Sequence, residues 1–119
     1  MRNDETNLQN LIRLALSDAG VTNWRNETGG YWTGQVVSRG NGTVTLKNAR
    51  MVKCGLCKGS ADIIGIGEGG RFVAAEVKTA TGRVSAEQRA FLEHVNRRGG
   101  IAGVVRSVDD ALALIKGGV

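Results

Sequence analysis

Gly59-Ser60-Ala61-Asp62-Ile63-Ile64-Gly65-Ile66-Gly67, then Glu68-Gly69-Gly70, then Arg71-Phe72-Val73-Ala74-Ala75-Glu76-Val77-Lys78, is the stretch that decides how this chain folds. Two apolar runs rich in Ile and Val, joined through a glycine turn, predict a β-hairpin. An acid opens the first run, and a glutamate and a lysine close the second. Burying such strands is favourable, but an unpaired carboxylate buried with them costs on the order of several kcal/mol. Asp62, Glu76 and Lys78 therefore need one another, or a cation.

The turn decides whether they meet. Side chains alternate along a strand, so Phe72, Ala74, Glu76 and Lys78 share one face. A two- or four-residue loop would pair 66 with 71 and leave Asp62 and Glu76 on opposite faces. A three-residue loop, Glu68-Gly69-Gly70, pairs 67 with 71 and sets Asp62 across from Glu76. Such a loop needs positive φ near its end, which glycine adopts without strain. In that register two carboxylates and an ammonium fall within roughly 5 Å, a cross-strand pair distance. Two oxygen ligands so close suit a hard divalent cation such as Mg²⁺. The spacing equally allows a structural Glu76–Lys78 ion pair, with Asp62 capping a turn.

Resemblance separates the two. An Asp, a spacer of apolar strand and then Glu-x-Lys resembles the PD-(D/E)XK nuclease motif, with Ala61 in place of its proline. Gly59 to Gly65, Glu76-Val77-Lys78-Thr79, Gly82-Arg83-Val84-Ser85, Gln88 and Val104-Val105-Arg106-Ser107 are similar, in order, to the VRR-NUC branch of that superfamily. The likeness covers roughly residues 54 to 115. It implies an α/β domain with a restriction-endonuclease-like core, a mixed central sheet flanked by helices. It also implies that Asp62, Glu76 and the Val77 carbonyl hold Mg²⁺ or Mn²⁺, and that Lys78 is catalytic.

The rest of the chain gives the frame. At 119 residues the sequence predicts one domain, residues 1–119. No apolar run approaches the ~20 residues of a membrane span, and the polar start lacks a signal peptide's apolar segment. A soluble, cytoplasmic protein is expected, in a bacterial host if the chain is virus-encoded. The net charge of +5 is uneven. Between residues 25 and 58 the only acid is Glu27, against Arg25, Arg39, Lys47, Arg50, Lys53 and Lys58. A one-signed segment beside paired acids suits a polyanion.

Leu8, Leu11, Ile12, Ala15, Leu16 and Ala19 recur at helical spacing and predict a helix over 5–19, capped by Asp4 or Thr6. Glu5 falls on its apolar stripe. It either meets the positive end of the helix dipole or, as in the resolvase-type relatives this fold resembles, reaches the metal site. Residues 21–26 and 31–38 read as strands joined by a turn at 27–30. Trp24, Tyr31 and Trp32 would pack a strand face, or stack on bases beside Arg25 and Asn26. Arg39-Gly40-Asn41-Gly42 is a hairpin turn leading into a short strand over 43–47. Residues 48–58 read as an ordered loop, and its Lys53, Lys58 and Ser60 approach to Asp62 makes it a candidate phosphate contact, together with Arg83. Cys54-Gly55-Leu56-Cys57 supplies two of the four ligands a structural zinc wants, so zinc or redox chemistry is a minor alternative.

Ser85-Ala86-Glu87-Gln88 opens a second helix as a capping box. Gln88 either bonds the Ser85 backbone or points at the site, as the family pattern implies. Gly99-Gly100 ends that helix, residues 101–106 read as a last strand, and Asp109–Lys116 reads as a closing helix. The resemblance implies hydrolysis of a DNA phosphodiester that leaves a 5′-phosphate. Stand-alone members of the family resemble virus-encoded, structure-specific nucleases of recombination, including four-way (Holliday) junction cutters. Cutting a junction needs two active sites, so a homodimer is implied. The alternative is a non-catalytic nucleic-acid-binding module on the same fold.

Overall fold

The computed structural model describes residues 4–117. Helix α1 (Asp4–Asp18) is followed by β1 (Thr22–Arg25), two long strands β2 (Gly29–Gly40) and β3 (Thr43–Cys54), and β4 (Ile63–Ile66). After β5 (Phe72–Val77) come α2 (Ala86–Arg97), β6 (Ile101–Val105) and α3 (Val108–Gly117). The central sheet has strand order β1-β4-β5-β6. Its first three strands run antiparallel, whereas β5 and β6 are parallel and joined through α2. A crossover helix is what a parallel pair requires, since no tight turn can connect it. The result is the mixed, helix-flanked sheet expected of a restriction-endonuclease-like core.

Strand alternation sends each face of this sheet to a different helix layer. Ile63, Val73, Ala75 and Val77 pack with Ile12 and Leu16 of α1 and Ala111 of α3 in the larger apolar cluster. Ala74 and Ala102, on the other face, pack with Leu92 and Val95 of α2. Leu11, counted into the α1 stripe from its spacing, is instead 56% exposed. The register depends on the β4–β5 loop. Gly67 N donates to Arg71 O at 2.7 Å across the three-residue turn Glu68–Gly70. Gly69 (φ 73°) and Gly70 (φ 83°) adopt the left-handed conformations this turn needs.

Two expectations for the middle of the chain are corrected. Residues 21–26 and 31–38 do not form a hairpin: β1 pairs with β4, and the Asn26 amide donates to the Asp62 carbonyl at 2.7 Å. Residues 48–54 are not loop but the continuation of β3. Asn48, at φ 57°, sits where the β2–β3 register shifts. A bulge there adds a residue and breaks the two-residue alternation that marks a strand. The β2–β3 hairpin is consequently a long arm. It lifts the radius of gyration to 17.0 Å, above the roughly 13–14 Å of a compact chain this size. Tyr31 and Trp32 lie on it 56% and 61% exposed, and Trp24 on β1 is 50% exposed, so none of the three is a core residue.

Candidate active site

Asp62 immediately precedes β4. The ladder pairs Ile63 with Ala75, so the next step along it sets Asp62 across from Glu76. Asp62 is fixed by Val77 N, which donates to its Oδ2 at 2.9 Å. The segment before it is held just as closely. Asn26 Nδ2 donates to Ser60 Oγ and to the Ala61 carbonyl, both at 2.8 Å, and Ser60 Oγ donates to the Cys57 carbonyl at 2.7 Å. Gly59 lets this segment approach α2. A Cβ at that position would lie 2.7 Å from Glu87, and φ is 86°.

Glu76 is 1% exposed, the only acid among the described residues in the buried core. Its Oε2 accepts from Gln88 Nε2 at 3.0 Å and lies 3.5 Å from Lys78 Nζ. No donor among the described residues reaches Oε1. Burial and then the charge of Asp62 raise the Glu76 pKa to about 7, against the opposing pull of Lys78. Protonated or ionised, Glu76 sits where its charge state is finely balanced.

Gln88 serves both roles left open by its sequence. Its Oε1 accepts from Ser85 N at 2.9 Å to complete the capping box, while its Nε2 holds Glu76. Glu5 lies in the first turn of α1, at the helix's positive end. No third His, Cys, Asp or Glu joins Asp62 and Glu76 among the described residues, so Glu5 stays outside the pair.

The candidate DNA contacts divide. Asn26 and the buried Ser60 are spent on positioning Asp62 and are not free surface groups. Arg25 bonds Asn10 at 2.6 Å and lies 4.0 Å from Glu27. Lys58 lies 3.9 Å from Glu87, both exposed, a contact worth little in water. Lys53 is exposed at the base of the arm, and Arg83 is exposed in the loop after β5. That loop is tied down by Arg106, whose Nη1 donates to the Thr79 and Gly82 carbonyls at 2.7 and 2.9 Å.

Arg106 and Asn23 are site-supporting residues whose roles the sequence did not disclose. Buried Asn23 accepts from Arg13 Nε at 2.9 Å and donates to Ser17 Oγ at 3.0 Å, locking α1 onto β1. Cys54 and Cys57 carry free, exposed thiols, and the Cys57 carbonyl serves as the acceptor that holds Ser60. A cavity of about 810 Å³ opens beside Gly67, Val73 and Ile115, at the far end of the strands from the carboxylates. It contains none of the Asp62, Glu76, Lys78 and Gln88 cluster.

The VRR-NUC domain model matches residues 5–109. No curated protein matches the chain. Matched over most of its length, and with Asp62, Glu76, Lys78 and Gln88 gathered at one end of a mixed sheet, the chain belongs to the VRR-NUC domain family, nuclease-type domains of the PD-(D/E)XK superfamily.

Proposed function

We propose that this chain is a metal-dependent, structure-specific DNA endonuclease that hydrolyses phosphodiester bonds in branched DNA, in the manner of a four-way junction resolvase, and acts as a homodimer. One observation carries the reading: a fully buried glutamate faces a second carboxylate and keeps an oxygen that no donor satisfies. A buried polar atom left without a partner in a native fold calls for an explanation, and a hard cation shared with Asp62 supplies one. Asp62, Glu76 and the Val77 carbonyl would hold Mg²⁺ or Mn²⁺. Such an ion, when bound, lowers the pKa of a water and offsets charge that builds on the scissile phosphate.

The chain's own groups do the rest. Val77 N orients Asp62, and Gln88 orients Glu76, so neither carboxylate must reorganise when substrate arrives. Lys78, half-buried and ion-paired at 3.5 Å, keeps one fixed positive charge beside the pair. It either positions the attacking water or stabilises the pentavalent phosphorus. The Arg106-braced loop brings Gly82 against the Lys78 side chain, with exposed Arg83 next along the chain, and the basic arm offers further phosphate contacts.

The direct test incubates the protein with Mg²⁺ or Mn²⁺ and a panel of duplex, flap, splayed and four-way DNA. Preferential cutting of branched DNA is expected. Binding without cutting at any metal concentration would establish the non-catalytic module instead. Asp62→Asn is the matched control. Its amide oxygen can still accept from Val77 N while a like charge leaves Glu76, so the metal-free variant should melt at the same temperature or slightly higher while cleavage is abolished. A variant that fails to fold would make Asp62 a structural ion-pair member.

DNA affinity should fall tens-fold or more between about 50 and 200 mM salt if several phosphates are engaged, because each contact releases counterions. Lys53→Ala with Lys58→Ala should flatten that log–log slope, by about 2 if both contact phosphate. An unchanged slope would move the DNA path to Arg83 and to Lys47 and Arg50 of the arm.

A further inference from the structure

The β2–β3 arm packs extensively only on itself, yet it carries Arg39, Lys47, Arg50 and Lys53 and no acid, in a chain whose net charge is +5. All four cations are exposed, and among the described residues none is in an ion pair. Like charges gathered on a thin ribbon repel one another, so the fold gains nothing from them. Residues paired across a ladder share a face. Thr33–Arg50, Gln35–Lys47 and Ser38–Thr45 lie on one face, whereas Trp32–Met51 and Val36–Leu46 lie on the other. The first face sets two cations among hydroxyls and an amide, the groups that bind phosphate oxygens. The second, apolar through its middle, would strip water from a phosphate and return no hydrogen bond.

The arm springs from the support of Asp62. Its first pair is Gly29–Cys54. Three residues before Gly29, Asn26 N donates to the Asp62 carbonyl at 2.7 Å and its Nδ2 to Ser60 Oγ at 2.8 Å. Three residues after Cys54, the Cys57 carbonyl accepts from Ser60 N at 3.0 Å and from Ser60 Oγ at 2.7 Å. Both strands of the arm are thus tied to the segment that delivers one of the two carboxylates. Gly55 lets the second strand leave close against the first, since a Cβ there would lie 2.5 Å from the Glu27 carbonyl oxygen.

We propose that the arm lies along the duplex flanking the cut, with its Lys47 and Arg50 face inward, and so sets how much duplex the reaction requires there. Twelve residues per strand at ~3.3 Å each reach ~40 Å, the length of about 12 base pairs at ~3.4 Å. Arg50 and Lys47, four and seven residues out from Cys54, stand ~13 and ~23 Å along that path, level with about the fourth and seventh base pairs. A single strand is gripped instead by aromatics interleaved with cations, and between Thr33 and Thr45 this face has no aromatic.

The inference deepens the reading above and rests on it for DNA as the partner and for a cut beside Asp62. The test is fluorescence anisotropy of the metal-free full chain on four-way DNA whose hairpin-closed arms are about 4, 8, 12 or 16 base pairs long, in ~150 mM salt. Affinity should rise up to about 12 base pairs and then level off. Gln35→Glu with Thr45→Glu should cost about tenfold or more on the longest arms and little on the shortest, which abolishes the rise. Val36→Glu with Val44→Glu makes the same change in net charge on the other face. It should keep the rise and cost less than about threefold, because charges a face away are screened over ~8 Å. Lys47→Ala with Arg50→Ala, which adds no acid, should lower the log–log salt slope by about 2 on long arms and by less than about 1 on the shortest. Circular dichroism and melting report whether each variant keeps the core. Affinity that ignores arm length, or equal losses from the two glutamate pairs, overturns the arm contact while leaving cleavage beside Asp62 standing. Equal affinity for a single strand of the same length overturns the duplex as its ligand. Arm-length dependence without any cutting in Mg²⁺ or Mn²⁺ keeps the arm contact and overturns the nuclease reading instead.

Discussion

Lys78→Ala should cut DNA at least a hundredfold more slowly than the parent while still binding both metal and DNA. In the proposed site the ligand oxygens are those of Asp62 and Glu76, and the arm carries most of the net charge, so neither binding event should depend on one ammonium. Lys78 Nζ, 3.5 Å from Glu76 Oε2, is instead a charge held in place before the reaction begins. A preorganised charge of this kind acts mainly where charge develops, in the transition state, so its removal lowers kcat and kcat/KM together. Lys78 also opposes the upward pull on the Glu76 pKa. The variant's rate should therefore rise with pH over a higher range than the parent's, and Mn²⁺ calorimetry of the two is best compared on the alkaline side of both ranges. Glu76→Ala differs by losing metal affinity as well. If Lys78→Ala cuts at near the parent rate, the Glu-x-Lys motif is only a charged strand end.

The β4–β5 hairpin was legible because every local signal agreed. Apolar runs, a glycine turn and three misplaced charges have one economical solution, and the three-residue loop Glu68–Gly70 supplies the register that brings Asp62 to Glu76. Gln88 was legible as a cap and as a site residue, but not as both at once. That needs the helix to enter at one angle, which Gly59's close approach to Glu87 helps set. The arm was not legible at full length. Bulges hide strands from any alternation rule, and Asn48 at φ 57° reads in sequence as a turn. Nor could the exposure of Trp32 be read from its type. Large aromatics are usually buried because burying them is favourable, and nothing in the local sequence places Trp32 on an arm that stands away from the core. Ser60 and Asn26 turn their polar groups to the chain's own backbone, which their residue types do not disclose. A polar side chain near a phosphate site and one that bonds its own backbone look alike until the partners are seen.

Metal-free protein should lose stability as pH rises from about 5 to 7, and Glu76→Gln should remove that loss. The sign follows from proton binding. Unfolded, Glu76 ionises near 4.5; folded, it keeps its proton up to about 7. Between these values the native state binds more protons, so stability falls as pH rises and levels off above the folded pKa. Each pKa unit corresponds to about 1.4 kcal/mol, so the full effect is on the order of a few kcal/mol, or about 10–15 °C in melting temperature. Glutamine at this position can accept from Gln88 and donate to Asp62, keeping the hydrogen bonds of the protonated acid without its titration. Parent and variant should then melt together near pH 5 and diverge steadily towards pH 7.5, the variant being the more stable. Adding Mn²⁺ at pH 7.5 should raise the parent's melting temperature and leave the variant's nearly unchanged, because only the ionised carboxylate rewards a cation. The melting difference between the two, followed against pH without metal, is the measurement. A difference that stays constant from pH 5 to 7.5 would mean that Glu76 ionises freely in the fold, and that its buried oxygen is satisfied without a cation.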